Sequence, residues 1–140
     1  MSIWQKPISL AAMNVLGGNS LAGHLGIEIT DFGDDYIEGT MPVDARTHQP
    51  MGLLHGGASV AFAETLASIA GSFAAPEGHA VVGMEINANH LAAMRNGLVK
   101  GRASPLHLGR SSQVWDIRLT NETGRLVCIS RMTAAVRKIG

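Results

Sequence analysis

The residue best suited to chemistry is Glu64, in the middle of a long predicted helix over residues 56–75. It is the one charged residue of that segment, and its neighbours are small or apolar. A carboxylate in such surroundings loses solvation, which costs free energy unless the group is paired, hydrogen-bonded or used in a reaction. The residues alone therefore leave two interpretations of Glu64 open, a catalytic group or a buried structural carboxylate.

The start of the same helix supplies a second chemical element. The run His55-Gly56-Gly57 leaves free backbone N–H groups at the positive end of the helix dipole, and its glycines let a substrate approach closely. Donors of this kind stabilise a carbonyl oxygen that gains negative charge. Gly56 is the predicted oxyanion donor and Gly57 a predicted substrate contact. From the residues alone, His55 is a candidate to cap this helix and shape the turn.

A helical wheel at about 100° per residue separates two faces of this helix. The stripe expected to face a sheet contains Phe62, Leu66, Ile69 and Phe73. Glu64 lies nearly opposite, and its neighbours on that face are Gly57, Val60, Ala61, Ser68 and Gly71. Ser68 is one turn after Glu64, so its hydroxyl can reach the carboxylate or a water bound to it. We expect this face to pack against another subunit or to line a narrow site.

The spacing of Gly56 and Glu64 determines how the site can be built. They are eight residues apart, which is roughly 12 Å along a helix. An oxyanion donor and an acid or base that act on one carbonyl must both lie within about 3 Å of the reacting atoms. One helix cannot bring its own Gly56 and Glu64 together, whereas two antiparallel helices can. The predicted site is therefore shared between two copies of the chain.

Strand signals on both sides of the helix define the fold class. Ser9 can cap a short helix over residues 10–16, which Gly17-Gly18 would end. The predicted strands cover residues 24–30, 36–43, 80–89, 98–105, 113–120 and 125–136. Trp115, Ile117 and Leu119 alternate with polar residues, as in a half-buried antiparallel strand, and a turn at residues 121–124 joins it to the last strand. The pattern predicts an α+β fold, one antiparallel sheet around a central helix.

Composition excludes several classes of function. A chain of 140 residues with zero formal net charge is expected to form a single domain (residues 1–140) that binds no nucleic acid. Its 46% hydrophobic and 16% charged residues indicate a subunit interface. The mildly hydrophobic helix with Glu64 is not expected to span a membrane. The single Cys128 and an N-terminus without a signal-peptide pattern favour the cytoplasm.

Three segments together resemble a known family. HQPMGLLHGGASVAFAET, VVGMEINANHL and PLHLGR closely resemble the hotdog-fold acyl-CoA thioesterases, in particular the phenylacetate-pathway, enterobactin-associated and dihydroxynaphthoyl-CoA group. The resemblance extends from Trp4 to Val136. It implies a hotdog fold, in which a sheet wraps around the central helix. It also implies homodimers that pair their sheets side by side and commonly assemble into homotetramers.

The resemblance also implies roles for individual residues. Glu64 corresponds to the helix carboxylate that acts as nucleophile or general base, and Gly56 to the backbone oxyanion donor. The other positions that match the family's site are His55, Gln49 near the thioester carbonyl, Ser68 for positioning water, and His90 near the acyl or pantetheine region. Glu64 would then act with Gly56 and Gln49 of the partner chain.

Two departures from the family pattern concern the substrate. Close relatives often have Phe where this chain has Met51, at the mouth of the acyl pocket, which affects acyl preference. They also often carry a basic residue soon after the His90 position, where this chain has an uncharged run before Arg95, which affects the CoA phosphate contacts. Ala61 and Gly71 are small residues near Glu64 and would leave room for an acyl group beside the carboxylate.

Other candidate groups are assigned no chemistry. The remaining histidines, His24, His48, His79 and His107, lack metal-ligand spacing, so no metal is expected. Ser59 lacks the closing glycine of a nucleophile elbow. Cys128 lies in the middle of a predicted strand and is expected in the core.

The sequence thus predicts a thioester hydrolase that converts aromatic or medium-chain acyl-CoA to free acid and CoA without a cofactor. Glu64 would attack the carbonyl directly or activate a water, and both routes remain open. The alternatives are proofreading hydrolysis on an acyl or aryl carrier protein and a non-catalytic module that binds acyl-CoA. A hotdog hydratase is disfavoured, because its usual Asp–His pair has no counterpart in this chain.

Overall fold

A computed structural model describes residues 1–139. Three helices and six strands follow one another in this range, and their bounds are α1 Leu10–Gly17, α2 Leu21–Leu25, β1 Glu28–Phe32, β2 Ile37–Pro42, α3 Gly56–Ala74, β3 His79–His90, β4 Leu98–Leu108, β5 Ser112–Thr120 and β6 Leu126–Lys138. The strands form one sheet in the order β1-β2-β4-β5-β6-β3, and every neighbouring pair is antiparallel. Helix α3 packs against this sheet, as the α+β prediction requires.

The apolar stripe of α3 faces the sheet as predicted, and Phe62, Leu66, Ile69 and Phe73 are all buried. Leu66 sits over two glycines, Gly39 of β2 and Gly101 of β4, which are register partners. A Cβ atom at Gly101 would lie 2.5 Å from Leu66 Cδ1, and one at Gly39 would lie 3.0 Å from Leu66 Cδ2. The glycine pair therefore allows the helix to approach the sheet closely.

The hairpin of β5 and β6 is also confirmed. Trp115, Ile117 and Leu119 are fully buried, whereas Arg118 between them is exposed. In the turn, Asn121 Oδ1 accepts hydrogen bonds from the backbone N–H groups of Thr123 and Arg125. An asparagine that bonds nearby backbone in this way favours a tight turn.

The N-terminal region differs from the prediction in one element. Helix α1 begins at its Ser9 cap, whose hydroxyl accepts from the Ala12 N–H at 3.0 Å, and ends at Gly17. The strand predicted to start at His24 is wrong in its first part, because His24 lies in helix α2. Gly26 ends that helix in the left-handed conformation (φ 74°), which glycine adopts without steric cost. The strand itself starts at Glu28.

Strand β3 forms one edge of the sheet. Its pairing with β6 shifts between Gly83 and Glu85, so that Met84 is the extra residue of a bulge. Val82 and Met84 are 57% and 68% exposed on this strand. Its outer edge meets no other strand in the part of the chain described. Over the same residues, each helix is too short or too polar to cross a bilayer.

Candidate active site

The loop between β2 and α3 positions the residues near the start of the helix. Thr47 is buried, and its hydroxyl donates to the Pro42 carbonyl at 2.8 Å while its own carbonyl accepts from the His55 N–H at 2.8 Å. Gln49 Oε1 accepts from the backbone N–H groups of Met51 and Leu53. These bonds fix the side chain of Gln49 and leave its amide N–H groups without a protein acceptor among residues 1–139.

His55 is the N-cap of α3. Its Nδ1 accepts from the Gly57 N–H at 2.7 Å, so its ring caps the helix in the described chain. The N–H of Gly57 is therefore occupied. The N–H of Gly56, the first residue of the helix, has no acceptor within the described chain, as expected at this position. The Gly56 N–H is thus a donor without a protein acceptor among residues 1–139.

His90, the last residue of β3, lies against the helix start. A Cβ atom on Gly56 would lie 2.9 Å from His90 Nε2, so only glycine leaves room for the imidazole ring. Gly56, His90 and Gln49 line one cavity of about 420 Å³. Leu53, Ser59 and Ala92 complete much of its wall. We call this space the oxyanion cavity.

Glu64 lies in a different cavity, of about 350 Å³, which it lines together with Ala61, Thr65 and Ser68. We call this space the carboxylate cavity. Glu64 is half-buried, and within residues 1–139 no side chain donates a hydrogen bond to its carboxylate. A Cβ atom on Gly83 would lie 2.5 Å from Glu64 Oε2. The carboxylate therefore rests on the backbone of β3 at the bulge.

Ser68 lines the carboxylate cavity, but its hydroxyl does not bond to Glu64. It donates instead to Met132 Sδ at 3.9 Å, a weak acceptor. The direct Ser68–Glu64 contact considered from the sequence is thus absent among the described residues. A hydroxyl held only by sulfur can turn to a stronger acceptor such as a water, which fits the water-positioning role.

The structure separates the predicted site residues into two groups within one chain. Glu64, Ser68 and Ala61 line the carboxylate cavity, whereas Gln49, Gly56 and His90 line the oxyanion cavity. Helix α3 is continuous between the groups. In the folded chain, therefore, Gly56 and Glu64 are held apart along one helix, as the sequence predicted.

Other predicted neighbours of the site lie elsewhere. Met51 is 72% exposed at the loop tip and lines neither of these two cavities. Gly71 was expected beside Glu64, which is wrong: it is buried against the sheet, where a Cβ atom would lie 2.5 Å from Gln113 Oε1. Cys128 is fully buried, and burial raises the pKa of its thiol, which agrees with a core role.

Sequence reasoning missed Gly83 and the wall that α1 and α2 contribute to the carboxylate cavity. A glycine inside a strand is a weak signal of a bulge or a close approach, and Gly83 carried that signal. The wall residues Leu16 and Leu21 were missed because their position beside Glu64 depends on the packing of distant segments, which has no local pattern in the sequence.

Comparisons with known proteins identify the family of the chain. Residues 51–128 match the thioesterase superfamily. The chain is 54% identical over 134 residues to the proofreading thioesterase EntH of Cronobacter turicensis, covering 96% of this chain and 98% of that protein. It is 51% identical over 134 residues to the 1,4-dihydroxy-2-naphthoyl-CoA hydrolase of Escherichia coli, with the same coverage of both.

Among solved structures, a thioesterase from Haemophilus influenzae superposes with a TM-score of 0.95 at 53% identity, covering 98% of this chain and 96% of that one. The chain therefore belongs to the thioesterase superfamily, and the predictions of a hotdog fold and of a thioester-hydrolysing enzyme are confirmed.

Proposed function

We propose that the enzyme hydrolyses acyl-CoA thioesters with aromatic or medium-chain acyl groups, in a site completed across a dimer. The observation that carries this proposal is the division of the chemical groups between two cavities along one helix. The carboxylate cavity of one protomer would face the oxyanion cavity of its partner, so that Glu64 and the Gly56 N–H act on one carbonyl.

The edge strand β3 supports this mode of pairing. Its free edge exposes backbone hydrogen-bonding groups over twelve residues, and such an edge favours pairing with another strand. The exposed Val82 and Met84 add apolar surface there. Because Glu64 rests on Gly83 of this same strand, pairing at this edge would bring the partner chain next to the carboxylate.

In the proposed mechanism, the thioester carbonyl oxygen accepts from the Gly56 N–H and from the free amide of Gln49. The positive end of the α3 dipole adds to this stabilisation as the oxygen becomes negative. His90, whose ring lies against Gly56, contacts the substrate at the same place. His55 holds the first turn of the helix in shape and thereby orients the Gly56 N–H.

Glu64 of the other protomer then attacks the carbonyl carbon or deprotonates a water that attacks it, with the Ser68 hydroxyl holding that water. The carbon–sulfur bond breaks and CoA leaves as a thiolate, which takes up a proton. In the direct route, water then hydrolyses the anhydride between the acyl group and Glu64, which releases the free acid and restores the carboxylate. The thiolate is a good leaving group, so these residues suffice without a cofactor.

Proofreading hydrolysis on a carrier protein is the second candidate function. The observation in its favour is the 54% identity to a relative named a proofreading thioesterase. Both substrates present a thioester on a phosphopantetheine arm, so the same residues serve either reaction. The two candidate functions differ in what contacts the surface around the oxyanion cavity. This is the nucleotide of CoA in the first and the carrier protein in the second.

A panel of thioesters assayed by thiol release tests the proposal. Acyl-CoA and acyl- or aryl-carrier-protein substrates with the same acyl group are compared at equal concentration. Higher kcat/KM for the CoA substrates supports the first candidate, and the opposite ranking selects proofreading. No thiol release from any member would contradict both.

A further inference from the structure

The N-terminal helices form one side of the carboxylate cavity. Helix α3 contributes one side, which includes Glu64 and Ser68. The opposite side consists of the end of α1, the start of α2 and their connection, with Leu16, Gly17, Ser20, Leu21 and Ala22 lining the space. We call this side the α1–α2 wall.

The chemistry of the wall is suited to an acyl group. Leu16 and Leu21 are 57% and 62% exposed although both are large and apolar. Glu64 is the one charged side chain among the residues found to line this cavity. A space without a basic side chain does not suit the CoA phosphates, whereas largely apolar walls with a few polar groups suit the hydrocarbon part of a substrate.

A basic side chain, Arg95, lies beyond the oxyanion cavity, in a depression that Glu122 also lines. Ala93 lines the oxyanion cavity and also the next depression on the surface, which contains Arg95. A thioester whose carbonyl lies at Gly56 and Glu64 would therefore extend its acyl group towards Leu16 and Leu21 and its CoA towards Arg95.

The α1–α2 wall is fixed to the sheet. A surface that selects substrates by size has to be held in place in this way. Asn14 of α1 pairs with the backbone of Ile29 in β1: its Oδ1 accepts from the Ile29 N–H at 2.8 Å, and its amide donates to the Ile29 carbonyl at 3.0 Å. At the corner, a Cβ atom on Gly17 would lie 3.1 Å from the Ala22 Cβ. A side chain on Gly23 would collide with the carbonyl oxygen of Gly18.

We propose that Leu16 and Leu21 determine acyl selectivity by closing the carboxylate cavity against the hydrocarbon part of the substrate. This inference rests on the proposed function, because it places the reacting carbonyl beside Glu64. Removing the leucines should open the cavity to longer acyl groups, and enlarging Leu21 should exclude them.

The test compares a Leu16→Ala/Leu21→Ala double variant and Leu21→Trp with the unaltered enzyme. Val15→Ala is the matched control, because Val15 lies beside Leu16 on α1 and is 77% exposed but does not line the cavity. The kcat/KM values are measured for butyryl-, octanoyl-, dodecanoyl- and benzoyl-CoA. Circular dichroism confirms folding, and gel filtration reports the oligomeric state.

We expect the double variant to raise the dodecanoyl-to-butyryl ratio of kcat/KM by about tenfold or more, and Leu21→Trp to lower the octanoyl-to-butyryl ratio by a similar factor. The control should keep both ratios. The inference would be overturned if kcat/KM changed equally for all substrates or if the ratios stayed the same. It would also be overturned if gel filtration showed a smaller oligomer for the leucine variants alone. The last result would make the wall a subunit contact.

A binding measurement separates this inference from the proposed function. Calorimetry with S-butyl-CoA and S-octyl-CoA thioethers, which cannot be hydrolysed, reports the preference for chain length without turnover. Suppose that the enzyme hydrolyses none of the CoA esters but the Leu21 variants change the thioether preference. The proposed function is then wrong, whereas the role of the α1–α2 wall in acyl selectivity is supported. If the enzyme hydrolyses CoA esters but neither the kcat/KM ratios nor the thioether preference change in the variants, the α1–α2 wall does not determine acyl selectivity. The proposed function is then unaffected.

Discussion

The Glu64 carboxylate occupies the space above Gly83 where any other residue would begin its side chain. A Cβ atom at that position would lie 2.5 Å from Glu64 Oε2, and the bulge in β3 starts at the same glycine. The position of the proposed catalytic group thus depends on a backbone feature of the edge strand, as well as on the helix that carries it.

Substituting Glu64 tests its role directly. Glu64→Gln keeps the shape of the side chain but removes the charge, so hydrolysis should fall by about 10²-fold or more while the protein stays folded. Steady-state thiol release measures the effect, and Glu77→Gln, an exposed carboxylate in the turn after α3, is the control. Full activity in Glu64→Gln would make Glu64 a structural residue.

Gly83→Ala should displace the carboxylate without unfolding the chain. The added methyl group meets the flexible end of Glu64, which can move aside, so the melting temperature should change little. The catalytic geometry is lost, and kcat should fall by about 10²-fold, as for an ångström-scale misplacement. Gly18→Ala, whose Cβ would meet nothing closer than 3.7 Å, should keep full activity. If Gly83→Ala is equally active, the contact with Gly83 has no part in catalysis.

Mixing two inactive variants tests whether the site is shared. Glu64→Ala and Gln49→Ala proteins, each inactive alone, should recover about a quarter of the parental activity after complete exchange, because half of the randomly formed dimers are mixed and each has one intact site. Native mass spectrometry verifies the exchange. Absence of recovery in verified mixed dimers would place the whole site within one chain.

The acyl preference should be broad but should not include the shortest group. Medium-chain and aryl CoA esters should differ in kcat/KM by no more than roughly 1–3 kcal/mol, and acetyl-CoA should be a poor substrate because it buries little apolar surface. A direct comparison of acetyl-, octanoyl- and benzoyl-CoA measures this. Acetyl-CoA as the preferred substrate would contradict the assignment of the carboxylate cavity to the acyl group.

Cys128 should play no part in the reaction. Burial raises the pKa of its thiol, so the reactive thiolate is scarce at neutral pH and becomes populated only at a more alkaline pH than usual. Iodoacetamide at neutral pH should leave the folded enzyme active and unmodified by intact-mass spectrometry, and should modify it once denatured. Rapid alkylation with loss of activity would return Cys128 to the candidates.

The features that sequence predicted well were those set by local pattern. The apolar stripe from Phe62 to Phe73, the alternation around Trp115 and the cap at Ser9 each depend on near neighbours, and each is present. The separation of Gly56 from Glu64 followed from helix geometry alone.

The features that were missed depend on contacts between distant segments. Gly83 makes room for Glu64 only because β3 packs beside α3. Gly71 lies against Gln113 rather than in the carboxylate cavity, and this too depends on how α3 packs on the sheet. His24 has no strong preference for helix or strand. It lies in α2, which Gly26 ends in the left-handed conformation. The pairing of Asn14 with Ile29, which holds the α1–α2 wall, joins residues fifteen positions apart and has no pattern in the sequence.

Helix α3 has groups for both halves of the reaction, Gly56 at its start and Glu64 two turns later, and in the proposed dimer these serve different sites. Each helix is then a rigid element common to two substrates, since one substrate contacts its first turn and the other its middle. A shift of the helix along its axis that improves one site necessarily alters the other. If binding at one site shifts the helix, the affinity of the other site changes with it, and that coupling is reciprocal.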